Sequence, residues 1–173
     1  ERNVSEEMPF PFNKISLSIY NKRLHHQNLT EEEDHFAKER FVWVKEFVDA
    51  DKYVFANPMY NLFLPAELKS YIDIVMQVPY TFHYTKEGVA EGLLRDKKAL
   101  HIQANGGTYH SFDGTGAPEG LDFGDKYLQS VLQVMGVTDY QRLFIEGIDH
   151  DPSIKDAVLK KVKLQAEQLA ADF

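Results

Sequence analysis

Three short apolar runs restrict the fold of this chain more than any other feature. They are Tyr53-Val54-Phe55-Ala56, Ala99-Leu100-His101-Ile102-Gln103-Ala104 and Leu143-Phe144-Ile145. Each is too short for a typical helix, and unbroken runs of this length suit strands buried on both faces, as in parallel sheets. Asn57-Pro58 stops the first and Asn105-Gly106-Gly107 the second. Helical patterns fill the gaps. Thr30 and Glu33 have capping-box spacing, and Phe36, Ala37, Arg40, Phe41, Val44, Phe47 and Val48 follow at steps of three and four. That predicts a helix ending near Ala50. Leu64, Leu68, Tyr71, Ile72 and Val75 predict a second, with Pro65 in its first turn. Tyr127, Leu128, Val131, Leu132 and Met135 predict a third, closed by Gly136. Asp151-Pro152 opens a last helix carrying Ile154, Val158, Val162 and Leu169.

The remaining stretches are less regular. A short helix fits Ile15 to Leu24, while Met8-Pro9-Phe10-Pro11-Phe12 resists regular structure because each Pro lacks an N–H. Residues 79–97 read as irregular, with strand composition only at Thr81-Phe82-His83-Tyr84. Thr108 to Gly120, with Gly114, Gly116 and Pro118, reads as a long loop.

Strands alternating with helices imply right-handed crossovers and a three-layer α/β domain. Parallel strands are expected near Tyr53–Ala56, Ala99–Gln103 and Arg142–Ile145, in one domain spanning all 173 residues. Three strands are few where about 5–6 are usual. The chain also begins at Glu1 without Met. Together these predict an N-terminally incomplete fold, its first strand, first helix and second strand missing.

Composition removes several functions. A formal net charge of −8 disfavours a broad phosphate-binding surface, so no nucleic-acid partner is expected. The chain has no cysteine, which excludes disulfides, thiolate metal sites and a cysteine nucleophile. Its seven histidines show no zinc spacing, and no metal is expected. No apolar run reaches the roughly 18 residues of a membrane span and no signal-peptide pattern opens the chain, so a cytoplasmic location is expected.

In open parallel sheets ligands bind beyond the carboxyl ends of the strands. Asn57 to Leu62, Asn105 to Tyr109 and Gly147 to His150 should lie there. The first two offer backbone N–H groups, amide side chains, glycines and aromatics, which suits a flat ring with heteroatoms on its edge. An ordinary strand-to-helix turn explains the first alone about equally well, and a tight turn after a strand the second. Other candidates are weaker. Gly114-Thr115-Gly116 does not follow a strand and open a helix, so the dinucleotide fingerprint fails. His101, inside a core strand, reads as a satisfied buried histidine, and Asp149-His150-Asp151 as helix capping. Glu31 to Asp34 reads as a solvated first turn, and no G-x-S-x-G elbow is present.

The run Asn57-Pro58-Met59-Tyr60-Asn61-Leu62-Phe63-Leu64-Pro65-Ala66-Glu67-Leu68-Lys69-Ser70-Tyr71-Ile72-Asp73 closely resembles the signature of FMN-dependent NADH-azoreductases, in the flavodoxin-like quinone reductase superfamily. Thr81-Phe82-His83-Tyr84-Thr85 with Gly88, Gly106-Gly107, and Phe144-Ile145-Glu146-Gly147 resemble later elements of that family. The resemblance implies a flavodoxin-like fold with FMN across two loops. Pro58, Met59, Tyr60, Asn61 and Leu62 match the first loop, and Ala104, Asn105, Gly106 and Gly107 the second. Family members often carry Ser at the position of Ala104.

The resemblance also implies NADH as electron donor, ping-pong transfer through flavin N5 to a quinone or azo compound, and a homodimer. Chemistry carried by the flavin leaves no catalytic side chain to name. Tyr84 and Phe112, with Tyr60, are expected to form an aromatic wall at the site. The family's Ser-rich phosphate loop has no counterpart here. Lys97 and Lys98 begin a strand at the opposite edge from the flavin loops. The chain as it stands is therefore expected to hold FMN weakly. The other reading is a flavodoxin-like domain without cofactor, acting through protein contacts.

Overall fold

The computed structural model describes residues 1–7, 11–110, 117–118 and 120–173. The elements, in chain order, are α1 (Val4–Glu7), α2 (Lys14–Leu24), α3 (Glu31–Asp49), β1 (Lys52–Pro58), α4 (Ala66–Val75), β2 (Phe82–Tyr84), β3 (Ala90–Gly92), β4 (Lys98–Ala104), α5 (Phe123–Met135), β5 (Asp139–Ile145), a 3-10 turn (Pro152–Ile154) and α6 (Lys155–Asp172). They divide into two compact units, residues 1–50 with 66–94 and residues 51–65 with 95–173.

The first unit is helical with a hairpin. Thr30 caps α3 as the sequence predicts, accepting from the Glu33 amide while the Glu33 carboxylate accepts from the Thr30 amide. Glu33 also receives Ser18 Oγ at 2.6 Å and Lys22 Nζ at 2.7 Å, which fastens α2 to α3. Those donors hold its carboxyl down at about 2. Trp43 and Phe47 of α3 meet the Tyr71 ring of α4 edge-on, at 5.7 and 6.2 Å. Residues 79–97 are not irregular throughout: β2 and β3 pair antiparallel, Phe82 opposite Gly92 and Tyr84 opposite Ala90. Strands of three residues are too short to show a period of two, so only the composition of the first was visible in the sequence.

The second unit is a parallel sheet ordered β1-β4-β5, and the three predicted strands are its strands. Phe55, His101 and Arg142 lie abreast across it. Alternation along β4 divides the layers. On one face Leu100 clusters with Leu143 of β5 and Val162 of α6, with Ile102, Ile145 and Val158 packed against them. Burying side chains of this size contributes about 1.5–3 kcal/mol each. On the other face His101 and Gln103 point at α5, reaching Asp125 and Asp122.

Four expectations need correction. Val54 is 57% exposed and Ala56 is exposed as well, so β1 is buried on one face only. It stands at the margin of this sheet, not in its middle, and alternation turns those two residues outward. Helix α5 starts at Phe123, capped by Asp122, four residues before the first periodic residue at Tyr127. Strand β5 starts at Asp139, and the last helix proper starts at Lys155, after the 3-10 turn. Gly136 closes α5 with φ 99°, the left-handed conformation expected of it.

Candidate functional site

All three predicted loops leave the carboxyl ends of the parallel strands. The first follows β1. The Met59 amide donates to the Ala104 carbonyl at 2.9 Å, one step beyond the ladder. Tyr60 and Phe63 then exchange backbone hydrogen bonds, both 2.9 Å, across a two-residue turn. Its central residues are left-handed, Asn61 at φ 50° and Leu62 at φ 66°. Asn tolerates that region, but Leu does not, and holding it there costs about 1–3 kcal/mol.

The start of α5 props the strained turn. The Phe123 amide donates to the Leu62 carbonyl at 3.1 Å, and the Phe63 ring lies 5.3 Å from that of Tyr127. A Cβ on Gly124 would stand 3.0 Å from the Leu64 nitrogen, so a side chain there would push the turn off the helix by a few tenths of an ångström.

The second loop follows β4 and is gathered by one carboxylate. Glu146, just past β5, accepts from Asn105 Nδ2 (2.6 Å), the Tyr109 amide (3.1 Å) and the His110 amide (3.2 Å). Its Oε1 also meets His110 Nδ1 at 2.8 Å. Burial pushes the Glu146 carboxyl up, but bonds from His110, the Tyr109 amide and Asn105 outweigh it and hold the carboxyl below its ordinary range. The His110 ring stacks on Phe144, centroids 3.7 Å apart, and its Nε2 lies 3.4 Å from Asp122. Backbone bonds from Gly147 to Gly107 (3.1 Å) and Asp149 to Gly106 (3.3 Å) tie in the third loop. Asp151 caps the turn that follows, as expected, accepting from Ser153.

Beneath the first loop lies a second polar cluster. His101 is fully buried, as the sequence predicts. Its Nδ1 lies 2.9 Å from Asp125 Oδ1, and its Nε2 lies 3.1 Å from Asn57 Oδ1. Asp125 also accepts from Tyr140 Oη at 2.8 Å and Arg142 Nε at 2.7 Å. Burial pushes the Asp125 carboxyl up, yet hydrogen bonds from His101, Arg142 and Tyr140 prevail and hold it at about 2. Burial and the Asp125 charge push the Tyr140 phenol above its ordinary range. Arg142 is committed here, its Nη2 donating to Gln129 at 2.6 Å.

The structure thus brings Pro58, Met59, Tyr60, Asn61 and Leu62 to the same sheet edge as Ala104, Asn105, Gly106 and Gly107. Tyr60 is 59% exposed. Tyr84 ends β2 in the helical unit, 60% exposed, with its ring 5.6 Å from Phe82. Phe112, like Gly114-Thr115-Gly116 and Met8-Pro9-Phe10, lies outside the described residues. The sequence reading missed Glu146 as the anchor of the second loop, along with His110, Asp122 and Asp125. An acid just past a strand or at a helix start looks like a cap until the sheet brings its partners to it. Among the described residues no cluster of His, Asp and Glu could hold a metal ion, and no helix is long and apolar enough to cross a membrane.

The groups left over indicate what this edge can bind. Among the described residues, the amides of Asn61, Leu62, Gly106 and Gly107 have no hydrogen-bond partner. Asn105 Oδ1 is buried and also lacks one. A Cβ on Gly106 would meet the Asp149 carboxylate, which would have to move aside. The isoalloxazine ring of FMN, with acceptors and an N–H on its edge, fits this set of donors and one acceptor. The three loops carry no Lys or Arg for its phosphate.

A parallel α/β sheet with ligand-ready loops beyond its strand ends defines a nucleotide-binding class of fold. The chain belongs to the family described as flavodoxin-like fold, whose profile matches residues 6–170. It is 42% identical over 161 residues to FMN-dependent NADH:quinone oxidoreductase 2 of Lactiplantibacillus plantarum, covering 93% of this chain and 75% of that protein. It is 37% identical to an FMN-dependent NADH:quinone oxidoreductase of Staphylococcus haemolyticus, covering 98% of this chain and 78% of that one. A solved azoreductase from Bacillus anthracis superposes with TM-score 0.87 at 29% identity, over 100% of this chain and 81% of that one. An FMN-dependent NADH-azoreductase from the same species, solved in complex with FMN, gives 0.83 at 30% identity, over 98% and 79%.

Proposed function

We propose that this protein is an FMN-dependent NADH:quinone oxidoreductase of the azoreductase type, a cytoplasmic homodimer in which the chain forms a single flavodoxin-like domain. The observation that carries the reading is the pair of facing loops with unpartnered amides at Asn61, Leu62, Gly106 and Gly107. Bound FMN would supply hydride transfer, taking a hydride from NADH at N5 and passing it to a quinone or azo compound in a second half-reaction. The protein's part is to bind and orient. The amides of Asn61, Leu62, Gly106 and Gly107 would donate to acceptors on the ring edge, and Asn105 Oδ1 would accept from a ring N–H. Pro58, Met59 and Ala104 would offer the ring apolar surface. Tyr60 would offer an exposed aromatic face on which a planar acceptor can stack.

The test is steady-state NADH oxidation by the FMN-loaded chain, with a soluble quinone and with an azo dye as acceptors. Parallel double-reciprocal lines for both acceptors support the two half-reactions, whereas intersecting lines exclude them. Light scattering at micromolar concentration reads the dimer.

A further inference from the structure

The first loop has a support that lies wholly beneath it. Asn57 is the penultimate residue of β1, immediately before the loop that starts at Pro58. Its Nδ2 donates to the Pro58 carbonyl at 3.0 Å, which fixes which way the amide faces. The other end of that amide, Oδ1, meets His101 Nε2 at 3.1 Å. His101 cannot turn away, because its Nδ1 is held 2.9 Å from Asp125 Oδ1. Nor can Asp125 readily move, since it caps nothing loose: its own amide is bound by Asp122 Oδ1 at 2.8 Å, and its carboxylate by Tyr140 and Arg142. A rigid chain of side chains therefore runs from α5 through the sheet to the backbone carbonyl of Pro58.

From this we infer that His101 is a positioning residue for the first loop: it grips Asn57 and thereby sets the pose of Pro58 to Leu62, including the two left-handed residues whose amides are free. His101 touches no ligand, and its effect passes through Asn57. A buried histidine that merely fills the core would need one partner and would leave the loop indifferent to its replacement. Here both ring nitrogens are used, and one of the two partners is the residue that opens the loop.

Two readouts test this, and only the second rests on the flavin reading. In the chain without flavin, His101→Gln should shift the backbone amide resonances of Tyr60, Asn61 and Leu62 while leaving those of Gly106 and Gly107 in place. Asn57→Ala, at a partly exposed site where unfolding is not expected, should shift the same set. Unmoved first-loop resonances in Asn57→Ala, or equal shifts in both loops, overturn the inference. In FMN titrations each single variant should weaken binding roughly tenfold, and the double variant no more than either alone, because the residues act in series. A hundredfold loss in the double variant would mean independent roles and would also overturn it. If the wild-type chain binds no FMN but the resonances couple as described, the flavin reading fails and the positioning role stands.

Discussion

The two loops at the sheet edge are built by opposite means. The first is shaped by its own backbone: a tight turn with reciprocal bonds between Tyr60 and Phe63, closed across two left-handed residues. The second has little shape of its own and is gathered by Glu146, more than thirty-five positions along the chain. One loop therefore carries strain but keeps its form locally, while the other is unstrained but is held from β5 and the residues after it, by the Glu146 carboxylate and by backbone bonds. A loop of the second kind is complete only when β5 lies beside β4, so its order reports on the sheet. A loop of the first kind needs only its turn and its props from α5 and Asn57.

The largest effect should come from removing the support shared by the first loop and the sheet. Asp125→Ala strands His101, Tyr140 and Arg142 Nε without their acceptor, and each buried polar group left unpaired costs about 1–3 kcal/mol. Urea denaturation should show that loss. A cost under about 1 kcal/mol would mean the cluster is dispensable.

Acid gives the same comparison without mutation. The Asp125 carboxyl is depressed from its ordinary value of 3.8 to about 2 in the folded chain. A depressed carboxyl contributes its stability fully above its unfolded pKa and loses it as pH falls through the folded one. On account of Asp125 stability should thus drop by about 2 kcal/mol between roughly pH 5 and pH 2, a share that Asp125→Asn lacks while the losses from Glu33 and Glu146 remain. Equal acid profiles would reject this cluster as the source.

Glu146→Gln tests the other loop. Charge-assisted bonds to Asn105, Tyr109 and His110 are weakened together, at a cost of about 2 kcal/mol. Hydrogen exchange sharpens it: the Tyr109 and His110 amides should lose protection while those of Tyr60 and Phe63 keep theirs. Loss in both loops would show that they are not independently built. The smallest effect is expected at Leu62. Leu62→Gly relieves the left-handed strain but adds chain entropy and gives up a partly buried side chain, so the net change should stay within about 1 kcal/mol. A larger loss would mean that the side chain, not the turn, holds the loop.

Much of this was legible in the residues because the relevant signals are local. Three apolar runs ended by Asn- and Gly-bearing turns placed the strands and their loops, and Thr30 with Glu33 placed a helix start. The β2–β3 hairpin was not legible, since three-residue strands carry no period. Val54 misled because an apolar run does not say whether its strand is central or marginal. Glu146 and Asp125 were hidden for a different reason. Their partners are set by which strands lie side by side, and nothing near either acid in sequence names residues 15 to 24 positions away for Asp125 or 36 to 41 for Glu146. His101 was half legible: a polar residue in a core strand must be satisfied, but only the register reveals by whom.

That register has a consequence for how the chain avoids misassembly. In β4 the residues facing α6 are hydrocarbon and those facing α5 include His101 and Gln103, alternating one by one. A slip of one position against β5 would exchange the two sets. An imidazole and a carboxamide would then sit among Leu143, Ile145 and Val162, while the acids of α5 faced Leu100 and Ile102. Each misplaced polar group forfeits its partner as well as its solvent, at about 1–3 kcal/mol apiece. The pair of polar residues thus acts as a proofreading key for the central strand, making the nearest wrong alignment a poor competitor before any ligand is present to choose between them.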